Sequence, residues 1–293
     1  MEKKRKKTVE KSYPVALTVA GSDSGGGAGV QADLRTFSAF GVYGCSAITA
    51  VTCQNPRSVS RIDFIPAAGV AEQIRMVAGC FDFAYAKSGM LGSAENVEAV
   101  AAAVKQFKLK LVCDPVMIST SETRLFTGDV AGAMKSQLFP CVSWLMPNVP
   151  ETEFILQRQV ASFADMCDAA KELADKFGCS VWLKGGHLVQ DAVKGIGLRR
   201  VTDVIYAENS LWKISSLMAD VPKYTSHGTG CTLSAALTAT LALDLLWQDA
   251  VCESRAFVLG SLVEHVRIGN GLCAMYPAGN DYTNSIQFEE VRR

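Results

Sequence analysis

The chain predicts an α/β fold of three layers, αβα, in which helices cover both faces of a mostly parallel sheet with an antiparallel edge hairpin. Three observations carry this prediction. Short apolar, partly β-branched runs alternate with helical patterns. Gly-rich and polar segments follow those runs one after another. Two further runs, 202–206 and 211–214, are joined by four residues that include Asn209, a hairpin connection.

The expected strands, in order, are 15–20, 45–51, 83–87, 110–114, 143–146 and 180–184, each apolar enough to be buried on both faces. A short helix carries Val30, Leu34 and Phe37 and ends at Gly41. Another repeats Val97, Val100, Ala101, Val104 and Phe107 behind Ser93 as N-cap. A third runs from Ser162 to a stop at Gly178, with Met166, Ala169, Ala170, Leu173 and Phe177 on one face. After the hairpin, 228–246 and about 250–269 have helical character. No repeat or linker interrupts 13–270, which predicts one domain between a basic solvated tail (1–12) and a divergent C-terminal tail (271–293).

Composition narrows the function. Of 293 residues, 49% are hydrophobic and 20% charged, an ordinary globular balance. Twenty-nine basic residues against 29 acidic ones give no net charge, which argues against non-specific nucleic-acid binding. The longest apolar run, 233–247, is broken by Ser234, Thr238, Thr240 and Asp244, so no membrane span is expected. Ten scattered cysteines without a C-x-x-C pair suit a reducing, cytoplasmic setting.

Ligands of open α/β sheets bind beyond the carboxyl ends of the strands. Here the unusual residues gather at those points: the glycine loop 21–29, Gln54 and Asn55, Ser88 to Met90, Asp114, Asn148 to Glu151, and Lys184 with two glycines. The glycine loop fits neither G-x-x-x-x-G-K-[ST] nor G-x-G-x-x-G in phase, which weakens Walker and dinucleotide readings. Segment 225–232, TSHGTGCT, is the most specific. Glycines ahead of a helix turn several N–H groups toward one spot, an anion hole suited to a migrating phosphoryl group. Cys231 falls in the first helical turn, where thiol pKa values are commonly lowered. Asp33 is expected in a first helical turn, either favouring the dipole or facing a ligand. With three histidines in all, His187 and His227 suggest hydrogen bonding rather than a metal cluster.

Taken in order, AGSDSGGGAGVQADL (20–34), YGC (43–45), QN (54–55), KSGML (87–91), DPVM (114–117), PNVPE (147–151), KGGH (184–187) and HGTGCT (227–232) closely resemble the hydroxymethylpyrimidine/phosphomethylpyrimidine kinases of thiamine biosynthesis, which are ribokinase-like enzymes. The resemblance implies ATP- and Mg²⁺-dependent phosphorylation of 4-amino-5-hydroxymethyl-2-methylpyrimidine, then of its monophosphate, by a homodimer. Carried over by position, Gln54 would hydrogen-bond the aminopyrimidine edge, and Gly21, Ala28, Met90 and Val116 would line its pocket, with Asp33 nearby. Cys231 stands where other ribokinase-like enzymes carry an Asp base. Gly228 and Gly230 would form the anion hole, Lys184 would contact ATP phosphates, and Asp114 and Glu151 would organise Mg²⁺.

Two segments depart from the family pattern: SETRL at 121–125, where members often carry a Gly-Asp-Arg-Leu type stretch, and the ending 271–293. A pyridoxine or pyridoxal kinase on the same scaffold is the alternative reading. A pyrimidine-binding protein without catalysis is a third, opposed by the presence of Lys184, Asp114, Glu151 and Cys231.

Overall fold

A computed structural model describes residues 12–117, 129–186, 188, 190–192 and 199–292. The chain runs β1 (Val15–Asp23), α1 (Gly29–Ala39), β2 (Tyr43–Asn55), β3 (Ser58–Phe64), α2 (Ala67–Ala78), β4 (Tyr85–Ser88), α3 (Ala94–Phe107), β5 (Lys110–Cys113) and α4 (Val130–Ala133). It continues with β6 (Val142–Leu145), α5 (Val149–Leu156), α6 (Phe163–Phe177), β7 (Ser180–Leu183), β8 (Gln190–Ala192), β9 (Arg199–Ala207) and β10 (Ser210–Leu217). Last come α7 (Thr229–Ala242), α8 (Trp247–Val263), β11 (Val266–Gly269), β12 (Leu272–Ala274) and β13 (Gln287–Glu290).

One sheet spans the molecule in the order β13-β10-β9-β7-β6-β5-β4-β1-β2-β3, with β8 beside β9. Its centre, from β2 through β7, is parallel. Alternating side chains go to opposite faces, so each central strand must be apolar twice over. In β5, Leu111 joins the core under α3 and α6, while its neighbour Val112 joins the core under α7 and α8. The three-layer reading of the sequence therefore holds, and so does the antiparallel hairpin: β9 pairs with β10 around Glu208 and Asn209, both in the left-handed region.

The helix starts follow from the sequence. Ser93 caps α3 by accepting from the Asn96 amide, and Ser162 caps α6 by accepting from Asp165. Gly178 closes α6 at φ 69°, where a side chain would be strained.

Several expectations need correction. The helix anticipated over 250–269 stops at Val263; residues 266–269 are strand, turned through Gly269, Asn270 and Gly271 at positive φ into the β11–β12 hairpin. Gly-Asn-Gly is a hairpin signal stronger than the weak helical period around it. Gln54 and Asn55 are not a loop but the end of β2, which pairs antiparallel with β3 past a register shift between Cys53 and Gln54. Asp33 is the fifth residue of α1, past the first turn. Beyond 270 the chain is built into the main sheet, since β13 pairs antiparallel with β10. The basic tail up to residue 11 and segment 121–125 lie outside the described residues.

Phe288 of β13 stacks on Trp212 of β10 at 4.8 Å and 13°, and meets the edge of Trp247 at 6.0 Å. Phe288→Ala is therefore expected to lower stability in urea denaturation by about 2 kcal/mol, the lower part of the range for aromatic truncation because the ring is half-buried. Glu290→Ala, at an exposed position of the same strand, should leave the midpoint unchanged.

Candidate active site

The start of α7 organises the site. Gly228 is its N-cap at φ 87°, a conformation glycine reaches without penalty. A Cβ there would lie 1.9 Å from the Gly27 carbonyl oxygen and 3.2 Å from the Ala28 Cα, so the two glycine loops meet backbone to backbone. At Gly29 a Cβ would lie 2.4 Å from the Gly21 carbonyl, and at Gly21 it would lie 2.6 Å from Met90 Cε. Gly21, Ala28 and Met90, expected around one pocket, are thus brought together. Val116 is half-buried two residues past Asp114, at the border of a segment that is not described.

The first turn of α7 leaves amides, those of Gly230 and Cys231 among them, without intrahelical acceptors, and they carry the positive end of the helix dipole. A Cβ on Gly230 would sit 3.4 Å from Asp114 Oδ2 and 3.7 Å from Lys184 Nζ. The expected anion hole therefore faces the expected cation and carboxylate. Lys184 Nζ donates to Asp114 Oδ1 at 2.7 Å. Burial disfavours the Lys184 ammonium, but Asp114 and Glu151 override it and hold its pKa above the ordinary lysine value.

Glu151 does more than the sequence suggested. It closes the capping box of α5: Asn148 Oδ1 accepts from the Glu151 amide while Glu151 Oε2 accepts from the Asn148 amide at 2.9 Å. Its other oxygen accepts from the Met117 amide at 3.3 Å. Burial, with Asp114 nearby, pushes the Glu151 carboxyl up. Among the described residues, two buried carboxylates thus lie beside the Lys184 ammonium, with Lys87 farther in beside Asp33. Among the described residues, the Asp114 Oδ2 atom has a single side-chain hydrogen-bond contact, at 3.5 Å from Ser234 Oγ. Mg²⁺ takes one or two carboxylates and keeps several waters, so Asp114 and Glu151 fit the ion. Among the described residues no group of three or more His, Cys, Asp or Glu is arranged as an all-protein metal cage, which that coordination does not require.

On the other side, Asp23, His227 and Gln54 form a chain. Asp23 accepts from the Gly25 and Ala28 amides at 2.8 and 2.9 Å and contacts His227 Nε2 at 3.0 Å through Oδ2. Burial works to raise the Asp23 carboxyl, yet these donors outweigh it and hold it below the usual range. His227 Nε2 also lies 3.2 Å from the Gln54 side-chain amide, and Thr52 Oγ1 donates to Gln54 Oε1 at 3.2 Å. Ser24 Oγ accepts from the Gln54 amide and donates to its carbonyl, both at 2.8 Å. Gln54, at the end of β2 and one strand in from the sheet edge, is thus tied to the loop that leads into Cys231. His227 works in hydrogen bonding, as expected; His187 lies outside the described residues.

Two expectations change. Asp33 is fully buried and belongs to an ion pair: Lys87 Nζ donates to both of its oxygens at 2.9 Å, and Thr18 Oγ1 donates at 2.6 Å. Its carboxylate is spent on β1 and β4 neighbours rather than turned to a ligand. Burial raises that carboxyl against Lys87 and Thr18; Lys87, itself disfavoured by burial, is held above the ordinary lysine value by Asp33, Cys231 and Asp114. Cys231 does sit in the first turn of α7, with the Gly29 amide donating to its sulfur, but its thiol is not acidified. Burial pushes it up, Lys87 pulls it down, and Asp33 and Asp114 push it up again. Lys87 and Thr18 escaped the sequence reading because a buried Lys in an apolar strand carries no spacing signal.

Comparison with known proteins agrees with this geometry. The sequence profile of the family described as phosphomethylpyrimidine kinase matches residues 23–275. A hydroxymethylpyrimidine/phosphomethylpyrimidine kinase from Haemophilus influenzae is 39% identical over 264 residues, covering 87% of this chain and 93% of its own. A pyridoxal kinase from Staphylococcus aureus, solved with AMP-PCP and pyridoxal, superimposes with a TM-score of 0.80 at 26% identity over 96% of this chain and all of its own. A phosphomethylpyrimidine kinase from Clostridium difficile superimposes with a TM-score of 0.71 at 33% identity, covering 84% and 97%. The two structural likenesses fix a ribokinase-like fold. By its profile match and its identity to the Haemophilus enzyme, the chain belongs to the phosphomethylpyrimidine kinase family and is a phosphotransferase.

Proposed function

We propose that this kinase transfers the γ-phosphoryl group of ATP to the hydroxymethyl group of 4-amino-5-hydroxymethyl-2-methylpyrimidine, and then phosphorylates the monophosphate to the diphosphate, in thiamine biosynthesis. The observation that carries the reading is the tie of Gln54 to His227, four residues before Cys231. It supports a donor-and-acceptor amide, suited to an aminopyrimidine edge, beside the loop that leads into the expected anion hole. Support for ATP comes from the AMP-PCP held by the Staphylococcus aureus kinase of the same fold. The pyridoxal in that structure makes pyridoxal the alternative alcohol.

In this reading Gly21, Ala28, Met90 and Val116 surround the ring and Gln54 pairs with its polar edge. Amides at Gly228 and Gly230 and the Lys184 ammonium receive the negative charge of the migrating phosphoryl group. Cys231 Sγ takes the proton of the hydroxymethyl group as its oxygen bonds to the γ-phosphorus and the bond to ADP breaks. Mg²⁺ held by Asp114 and Glu151 would neutralise phosphate charge. The form that takes the proton is the thiolate, which becomes the neutral thiol; burial that raises the thiol's pKa makes that thiolate scarcer at neutral pH but a stronger base. The chain works in the cytoplasm, in keeping with its ten thiols. Among the described residues no helix is long and apolar enough to cross a membrane. The exposed Tyr43–Phe81 stack is a candidate patch for the homodimer.

Side-by-side kcat/KM values for the pyrimidine alcohol, its monophosphate and pyridoxal test the assignment; a clear preference for pyridoxal would overturn it. Gln54→Ala should cut kcat/KM for the pyrimidine about 10- to 100-fold, the cost of an unpaired polar edge at about 1–3 kcal/mol, with KM for ATP within two-fold. The base assignment has its own signature in pH. A thiol pKa raised by burial keeps Cys231 protonated at neutral pH, so kcat/KM should still be climbing at pH 8.5, where an ordinary thiol is half ionised. Cys231→Asp should shift that rise to acidic pH, and an unshifted profile would remove Cys231 from the role.

A further inference from the structure

A second buried charge cluster stands behind Lys184. Asp203 of β9 is 1% exposed and saturated with donors. Its Oδ2 accepts from Trp182 Nε1 of β7 at 3.0 Å and from Arg255 of α8 at 3.1 Å. Its Oδ1 accepts at 2.8 Å from the amide of Gly185, the residue that follows Lys184. Gly185 packs so closely on β9 that no side chain fits there: a Cβ would run into the Thr202 carbonyl oxygen. From the opposite side, the Lys184 amide donates to the Pro147 carbonyl at 2.8 Å. The backbone of residues 184–185 is therefore held between β6 and β9. Arg255 completes the clamp by donating through Nε to Ser216 Oγ of β10 at 3.2 Å.

An ion pair this deep is weak support for stability, because desolvation offsets much of its attraction. What it does supply is direction. A carboxylate with one oxygen on a backbone amide and the other on a guanidinium and an indole has one orientation left to it.

We propose that Asp203, oriented by Arg255 and Trp182, is a positioning residue that sets the Lys184 ammonium against the nucleotide phosphates. The inference rests on Lys184 contacting phosphate, as proposed above. Asp203 touches neither substrate; it acts through one amide. Misplacement of a phosphate-binding group by about 1 Å costs up to about 10²-fold in rate.

Asp203→Asn keeps the side-chain shape and removes its charge. Steady-state kinetics with ATP and the pyrimidine alcohol should show kcat/KM for ATP falling about 10- to 100-fold, with KM for the alcohol within two-fold. In a Lys184→Met background the same change should cost less than two-fold, because the group it positions is gone. A purely structural role would lower the melting temperature and multiply with the Lys184→Met loss, and that result would overturn the proposal. If Lys184→Met itself leaves ATP kinetics intact, the phosphate role of Lys184 fails and the proposal with it. If Lys184→Met is damaging and Asp203→Asn is not, only the positioning role fails. Should Asp203→Asn not fold, Arg255→Lys, which keeps the charge, serves in its place. It is expected to raise KM for ATP about three-fold only where Lys184 is present, and an unchanged KM would count against Asp203.

Discussion

Everything at the site depends on the approach of two backbones, where the N-cap of α7 meets the glycine loop after β1. Gly228 leaves no room for a methyl group against the Gly27 carbonyl. From that contact the rest follows: the Gly29 amide reaches the Cys231 sulfur, His227 reaches Asp23 and Gln54, and Gly230 lands beside Asp114 and Lys184. Loops from opposite halves of the chain share one site because neither has side chains where they touch.

The charges are layered around this contact. Asp114, Glu151 and Lys184 form the outer layer, two carboxylates beside one ammonium among the described residues. Beneath it lies the fully buried Lys87–Asp33 pair, anchored by Thr18. Thr18 and Lys87 are register partners on adjacent strands, so the pair joins β1, β4 and α1 at one point. Burying two charges costs more than apolar packing unless the geometry is good. Here the carboxylate receives three donated hydrogen bonds, which is good geometry.

What the sequence made legible, and what it hid, divide along physical lines. Regular period and end signals were readable: Ser93, Ser162 and Gly178 bound their helices where expected. So was the ordered series of polar loops, because each occupies a strand end. Local signals failed where long-range contacts decided. Gln54 is paired into β2 by a strand that the apolar pattern did not announce, since β3 is mostly exposed. Asp33 looked like a helix-dipole residue until Lys87, 54 residues away, came to face it. The Cys231 thiol looked acidified by its helix, but burial, which no local window records, pushes it up, helped by Asp33 and Asp114.

The placement of β13 has a consequence for the order of assembly. β10 is followed by 69 residues before its outer partner begins, and in that interval its free hydrogen-bonding edge has no cover from this chain. On the ribosome that edge stays open until β13 has emerged. Chains stopped short of residue 287 would keep the glycine loops yet present an unprotected β edge to one another, so β13 guards against self-association as much as it completes the sheet.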